Sequence, residues 1–497
     1  MPFYYVLRCV FYTLLFCVST GAAVAQDVPY VPFYSPDTIQ AYELALAQRN
    51  AVRNHLAVPK TGNGEYRDHY KRIVQEASSE VYNSVRYSAL LDPVLNAFVQ
   101  KVFQQVVKAN PQLPPTQLVL TKNPEPNARA VGNGTIILNV GLLPTLENES
   151  QLAFIICHEL AHAQCRHMEA AIAERLTTLH SRELKREVRR IVQAEYNINS
   201  KMKALVMGMS LNNSYHQRQH ERQADSLGYV LLKRSHYDAP QAYRALQLLD
   251  KIDEATSTAQ LELARYFSCA EFARKFEAAP AKSQSIFTVQ TPQKTALETT
   301  DTLKSHPDCA KRMRYVHDLA QGQIAEGPQA VTPEFARLRA ISRLEVVQSW
   351  FDTDCYDHAL FDALLLLRED PQNAYLRSVV QLCLFELRQH LVSHSFNEVV
   401  STVSRHNPEN FNQLLNTLYS LRSTDYQELS ACFAQTTSTE AGATRNEYTL
   451  AAAYAAAALT GNAARAVALQ KEYLAHYKSG RFTARLFPST ALKVSPK

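Results

Sequence analysis

The sequence predicts a mainly α-helical protein with one small β-sheet, followed by a second region built of helices alone. Three observations carry that reading. Apolar residues recur at helical spacing over 37–55, 66–88 and 91–111. The period switches to that of strands in "TQLVLT" (116–121) and "GTIILNV" (134–140), which are β-branched, apolar and bounded by Asn, Pro and Gly. From about residue 345, helical stretches pair across short turns.

The chain opens on "MPFYYVLRCVFYTLLFCVSTGAAVAQD". Arg8 is the only charge before the apolar run Cys9–Val18, and small residues end at Ala23-Val24-Ala25. Residues 1–25 therefore read as a secretory signal peptide cleaved before Gln26. The run is shorter than the roughly 20 residues that span a bilayer. No later segment is long and apolar enough to do so, and the mature chain is expected in a periplasm or secreted, with no membrane span. A net charge of +5 is small for 497 residues, and no basic tract is present. That gives no basis for nucleic-acid binding. Nine cysteines fall to seven in the mature chain. Seven is too few for a disulfide scaffold, and the odd number leaves at least one free thiol.

An extension, residues 26–59, begins with the Pro- and Tyr-rich "QDVPYVPFYSP". In "LDPVLNAFVQKVFQQVVKANP" (91–111), Asp92-Pro93 is a good helix start and Asn110-Pro111 a good stop. After the two strands, "LENESQLAFIICHELAHAQCRHMEAAIAERL" reads as one long helix. Residues 170–210 are charged and helical, ending in "KALVMGMSL". They fit either a lid over a cleft or a solvated helical face. Another helix is expected over 214–235. These elements form one domain, residues 60–335.

The second domain is residues 345–497. "YDHALFDALLLLREDPQNAYLRSVVQLCLFEL" is a helix, a "DPQN" turn and a helix. "FNEVVSTVSRHNPENFNQLLNTLYSL" repeats that plan, and "EYTLAAAYAAAALTGNAARAVALQKEYLAHY" turns at Gly461-Asn462. Pro371 and Pro408 lie 37 residues apart. The spacing is similar to tetratricopeptide (TPR)-type repeats, with a helical bundle lacking repeat geometry as the alternative.

The chemistry concentrates in "CHELAHAQCRH" (157–167). His158-Glu159-Leu160-Ala161-His162 is an HExxH, and positions four apart share one helical face. Two imidazoles can thus grip one Zn2+, with Glu159 beside the metal to take a proton from its water. A catalytic zinc needs a third protein ligand and an open position. His167 does not fit the metzincin spacing, where Cys165 and Met168 stand in place of the Gly and the His. Cys157 points off the face. A Cys165 ligand would describe a structural site and leave Glu159 without a task. Glu221, in "RQHERQADSLG", can complete a His-His-Glu set of the glutamate type. Asp225, one turn on, can hold a ligand imidazole through its second N–H.

These residues come in a recognisable order. HExxH, then Arg218-x-x-Glu221-x-x-Ala224-Asp225-x-x-Gly228, then His306-Pro307-x-x-x-x-Arg312 resembles peptidase family forty-eight, the CAAX prenyl endopeptidase, HtpX and BepA type. The segment "NARAVGNGTIILNVGLLPTLENES" before the HExxH matches as well, so the resemblance covers roughly 60–320. It implies a gluzincin-type zinc metalloendopeptidase with one Zn2+ per chain on His158, His162 and Glu221. Glu159 would be the general base toward a zinc-activated water, and Asp225 would support a ligand from behind. His306 and Arg312 are implied near the metal, where His306 would hold the oxyanion or cap the zinc in a resting state. Gln223 departs from the pattern, since many members carry a second Glu there. The charged 170–210 segment points to the soluble branch. A peptide is expected to lie antiparallel along an edge strand, taken as "GTIILNV". The order of parts implies proteolysis of misfolded or unassembled envelope proteins, with the repeats engaging clients or outer-membrane assembly machinery. The alternative is a non-catalytic chaperone or assembly scaffold with a latent zinc site.

Overall fold

The computed structural model describes residues 30–34, 39–60, 63–193, 201, 218–251, 261–267, 309–325, 327, 331–404, 407–435 and 445–488. The signal peptide, "KALVMGMSL" and His306 lie outside them. Three helices come first: α1 (Ile39–His55), α2 (Gly64–Ser88) and α3 (Leu95–Ala109). Asp92 accepts from the backbone N–H of Leu95, so the expected start of α3 is a side-chain cap. A three-stranded sheet follows, β1 (Gln117–Thr121), β2 (Ala128–Ala130) and β3 (Thr135–Asn139).

The strand order is β1-β3-β2, with β3 parallel to β1 and antiparallel to β2. This corrects the reading of "GTIILNV" as the edge. Every residue of β3 is buried, and an unbroken apolar run is what a strand covered on both faces requires. The edge beside the functional cleft is β2, whose three residues "ARA" carry no strand signature.

Next is α4 (Glu149–Gln164), which carries the HExxH. Asn148 caps it by accepting from the N–H of Gln151. Residues 151–161 are buried all round, as expected of a helix packed on every side. The expected single long helix is in fact two. Arg166 adopts a left-handed conformation (φ 57°), and α5 (His167–His180) starts anew. Then come α6 (Arg182–Val192), α7 (218–234), α8 (Gln241–Asp250) and α9 (Cys309–Leu319). In α6 only Ile191 is buried, and residues 194–200 and 202–210 of the segment read as a lid or a solvated face lie outside the described residues.

The long helix α10 (Pro333–Asp352) runs through the 335–345 interval without interruption. Phe98 of α3 packs edge-on against Phe335, with ring centroids 5.9 Å apart. Val347 and Phe351 at the other end belong to a large apolar core formed with α11 (Tyr356–Leu367), α12 (Ala374–Val392), α13 (Glu409–Ser420), α14 (Ser423–Gln435), α15 (Glu447–Leu459) and α16 (Ala463–His476). The pairs α11–α12 and α15–α16 are the expected hairpins, and Gly461 supplies the left-handed turn (φ 74°) of the second. The middle copy of the plan fails. Phe396–Glu398 is a single 3-10 turn, and 401–404 has no regular structure. The β-branched run Val399, Val400, Thr402, Val403 disfavours the helix expected there. Cys432 is disulfide-bonded, and among the described residues Cys157, Cys165, Cys309, Cys355 and Cys383 are free. No helix among the described residues is long and apolar enough to cross a membrane.

Candidate metal centre

Helices α4 and α7 cross at a close approach set by small residues. Glu221, Ala224, Asp225 and Gly228 follow i, i+3, i+4, i+7 spacing on one face of α7. A Cβ on Gly228 would lie 3.0 Å from the Cα of His158 and 3.1 Å from its backbone N. That proximity lets two short acidic side chains of α7 reach the histidines of α4.

The expected ligand atoms converge. His158 Nε2 lies 3.0 Å from His162 Nε2, and Glu221 lies 3.5 Å and 3.4 Å from these two nitrogens. Tetrahedral bonds of 2.0–2.1 Å require ligand atoms about 3.3–3.4 Å apart, so one small dication fits this triangle. His158, His162 and Glu221 form the metal-capable group among the described residues. His158 and Glu221 are buried, and His162 borders a cleft of about 350 Å³ lined also by Arg129, Ala130, Val131, Glu159 and Glu221. Glu159 thus lines the same cleft as His162 and Glu221.

Behind the ligands sits an ion-paired layer. Asp225 Oδ1 lies 3.0 Å from His158 Nδ1, on the side of the ring opposite the Nε2 that faces the cluster. Arg312, on α9, grips Asp225 with two bonds of 2.8 Å and reaches Glu221 at 3.0 Å. Arg312 was expected among the catalytic residues; its buried guanidinium contacts both carboxylates, and its Nη2 lies 3.5 Å from His158 Nε2. Glu221 and Asp225 share the single Arg312 guanidinium, so the buried ion-paired layer keeps one net negative charge when the imidazoles are neutral. Burial lowers the pKa of His158, but hydrogen bonds to Asp225 and Glu221 overcome it and raise the value to about 9. A proton held there competes with a metal for the same charge well. Burial raises Asp225, yet Arg312 and His158 hold its carboxyl down at about 2.

His167, set aside as a ligand, lies outside the triangle but touches it. Its Nδ1 is 2.9 Å from His162 Nδ1, and its Nε2 is 3.0 Å from Gln223 Oε1. His220 stacks on its ring at 4.3 Å. Burial lowers its pKa to about 4. The sequence offered no signal for this contact, because it depends on the break at Arg166. On an unbroken helix, residues five apart point in different directions.

Comparison with known proteins agrees with this geometry. Residues 93–320 match the profile of Peptidase family M48. A stretch of 160 residues is 30% identical to the Beta-barrel assembly-enhancing protease of Escherichia coli (strain K12), covering 30% of this chain and 31% of that one. The protein of the same name from Yersinia pestis is 26% identical over 178 residues, 35% of each chain. The Mitochondrial metalloendopeptidase OMA1 of Schizosaccharomyces pombe is 25% identical over 186 residues, 36% of this chain and 51% of that one. The match to the first of these relatives thus spans about a third of its length. With the ligand triangle, its ion-paired support and this match in hand, residues 93–320 form a metallopeptidase domain of peptidase family M48.

Proposed function

We propose that the protein is a zinc endopeptidase that cuts unfolded or unassembled proteins of the cell envelope. The observation that carries the reading is the His158–His162–Glu221 triangle, with Glu159 lining the same cleft beside the edge strand β2. Zinc bound there supplies Lewis-acid activation of a water and of the scissile carbonyl. His158, His162 and Glu221 hold it, and Asp225 keeps His158 in the ligating tautomer. The Glu159 carboxylate takes the proton of the attacking water and returns it to the leaving amine. A substrate strand pairs with β2, whose main-chain groups read peptide backbone rather than side chains and make cleavage depend on access. His306 remains the proposed oxyanion donor or resting-state cap. Residues 1–25 are proposed as the export signal, giving a periplasmic or secreted mature protein. Residues 60–335 and 345–497 are proposed as the peptidase and the TPR-like client-holding parts. The names of the bacterial relatives support envelope assembly as the setting, with outer-membrane assembly machinery as the candidate partner.

The test compares mature protein with Glu159→Gln, scoring zinc content and casein cleavage. Wild type is expected to carry about one zinc and to cut; the variant keeps the metal and is inert, with activity down at least a hundredfold. If both hold zinc and neither cuts, His306→Ala separates a capped enzyme, which it activates, from a scaffold. A wild type without zinc ends the reading.

A further inference from the structure

Two ligand imidazoles face the cluster, and each must present a bare Nε2. For His158 the neighbour on the far side of the ring is a carboxylate, Asp225, 3.0 Å from Nδ1, which favours a proton on that nitrogen. His162 is less simply placed. Its Nδ1 meets another imidazole, His167 Nδ1, at 2.9 Å. Two imidazoles can share that bond in either direction, and only one direction leaves His162 able to ligate. What decides it is the next contact out, His167 Nε2 to Gln223 Oε1 at 3.0 Å.

A carbonyl oxygen only accepts. His167 Nε2 must therefore carry the proton, and in a neutral ring its Nδ1 is then bare and accepts. His162 Nδ1 must donate, which leaves His162 Nε2 with the lone pair pointing at His158 and Glu221. Turn the Gln223 amide over, and every step reverses. Its N–H would donate to His167 Nε2, His167 Nδ1–H would donate to His162 Nδ1, and His162 Nε2 would bear a proton where the metal belongs. The stack of His220 on His167 (interplanar angle 14°) and the left-handed Arg166 fix the ring that passes the bond along.

We propose that His167 and Gln223 are positioning residues that set the tautomer of His162, with Gln223 as the terminal acceptor of a three-residue hydrogen-bond relay. This rests on the zinc peptidase reading and adds a part to it. Gln223 is exposed, so its substitutions leave the fold intact. The same residue is the one departure in the α7 motif. A carboxylate there could not flip into a donor; the amide can, and so gives a weaker hold on His162.

The experiment measures the zinc dissociation constant of the full mature chain by competition with a chromophoric chelator, at 0.5 M salt to screen simple charge effects. Gln223→Met removes the acceptor without adding charge, and Gln223→Lys replaces it with a donor. Both are expected to weaken zinc 10- to 100-fold, the usual effect of losing such a partner. Gln223→Glu binds at least as tightly as wild type. His167→Phe weakens zinc as well, and His167→Asn, which keeps an acceptor near Nδ1, restores part of the loss. Thermal melts of the metal-free Gln223 variants should match wild type. Equal affinities for wild type, Gln223→Met and Gln223→Lys would overturn the relay while leaving the peptidase reading intact. A wild type that binds no zinc overturns both.

Discussion

Arg312 holds the centre together in the absence of metal. Its guanidinium is 6% exposed and shared by Asp225 and Glu221, themselves 0% and 3% exposed. Removing one member of a buried ion pair typically costs about 3–5 kcal/mol, because the other charge is stranded. Here two carboxylates would be stranded. Arg312→Met is therefore expected to lower the stability of metal-free protein by that order. A dication bound at the triangle supplies part of the missing positive charge, so the deficit should shrink in zinc-loaded protein. Urea unfolding of both proteins, with and without zinc, checks this. An unchanged gap on loading would place Arg312 outside the electrostatics of the ligand set. The metal-capable triangle was legible in the sequence, since an i, i+4 pair on a helix and a carboxylate in a second helical motif state their geometry through spacing. His167 was not, because its approach to His162 needs one residue, Arg166, in a conformation that only tertiary structure enforces.

Among the elements, the crossing of α4 and α7 is the most demanding. A glycine inside a helix costs about 1 kcal/mol relative to alanine. If Gly228 were there by default, Gly228→Ala would stabilise by that amount. The clearance of 3.0 Å to His158 predicts the reverse sign, a loss of about 1–3 kcal/mol from overpacking, with zinc affinity falling as α7 is pushed off α4. Thermal melts and metal titration of the variant read both effects. In α12, Glu386 is 7% exposed and its Oε1 has no hydrogen-bond partner. Burial raises its pKa to about 7, with Arg485 pulling it down and Asp354 pushing it up. The unfolded chain titrates near 4.3. The folded state therefore binds the extra proton between these values. The stability Glu386 contributes is complete below about pH 4 and is lost as pH rises through 7. Glu386→Gln should match wild type at pH 4 and exceed it at pH 8 by on the order of 3–4 kcal/mol; equal stabilities at pH 8 would falsify this. Element types were readable because long amphipathic periods and capping residues such as Asp92 and Asn148 act locally. Strand β2 and the missing helix at 396–404 were not, since a three-residue edge has no period and the Val-rich stretch mimics one.

At the scale of the whole molecule, α10 joins two cores. Phe335, Leu338 and Ile341 are buried at its first half, where it packs on α3 and on the 3-10 segment Val140–Thr145 that precedes α4. Val347 and Phe351 are buried at its second half in the helical array. The main chain of Phe33 is fixed to the same region. Its N–H donates to Glu345 at 2.9 Å and its carbonyl accepts from Arg481 at 2.6 Å. A rigid helix with a stake in both cores makes them unfold together, and a ligand that binds one then stabilises the other. The chain provides its own probe. Its single tryptophan, Trp350, lies at the array end of α10, stacked on His358 at 4.4 Å. The proposed zinc site lies on α4 and α7, yet zinc loading is expected to raise the urea midpoint of Trp350 fluorescence by the same increment as that of the far-ultraviolet circular dichroism. Arg343→Pro tests the route. Arg343 is on the exposed side of α10, so the substitution spares both cores but breaks the helix between them, at a cost of about 3 kcal/mol or more. In that variant zinc should still shift the dichroism and no longer shift Trp350. If zinc leaves Trp350 unmoved in the wild type, the two regions fold independently and α10 is a tether, whatever its packing suggests.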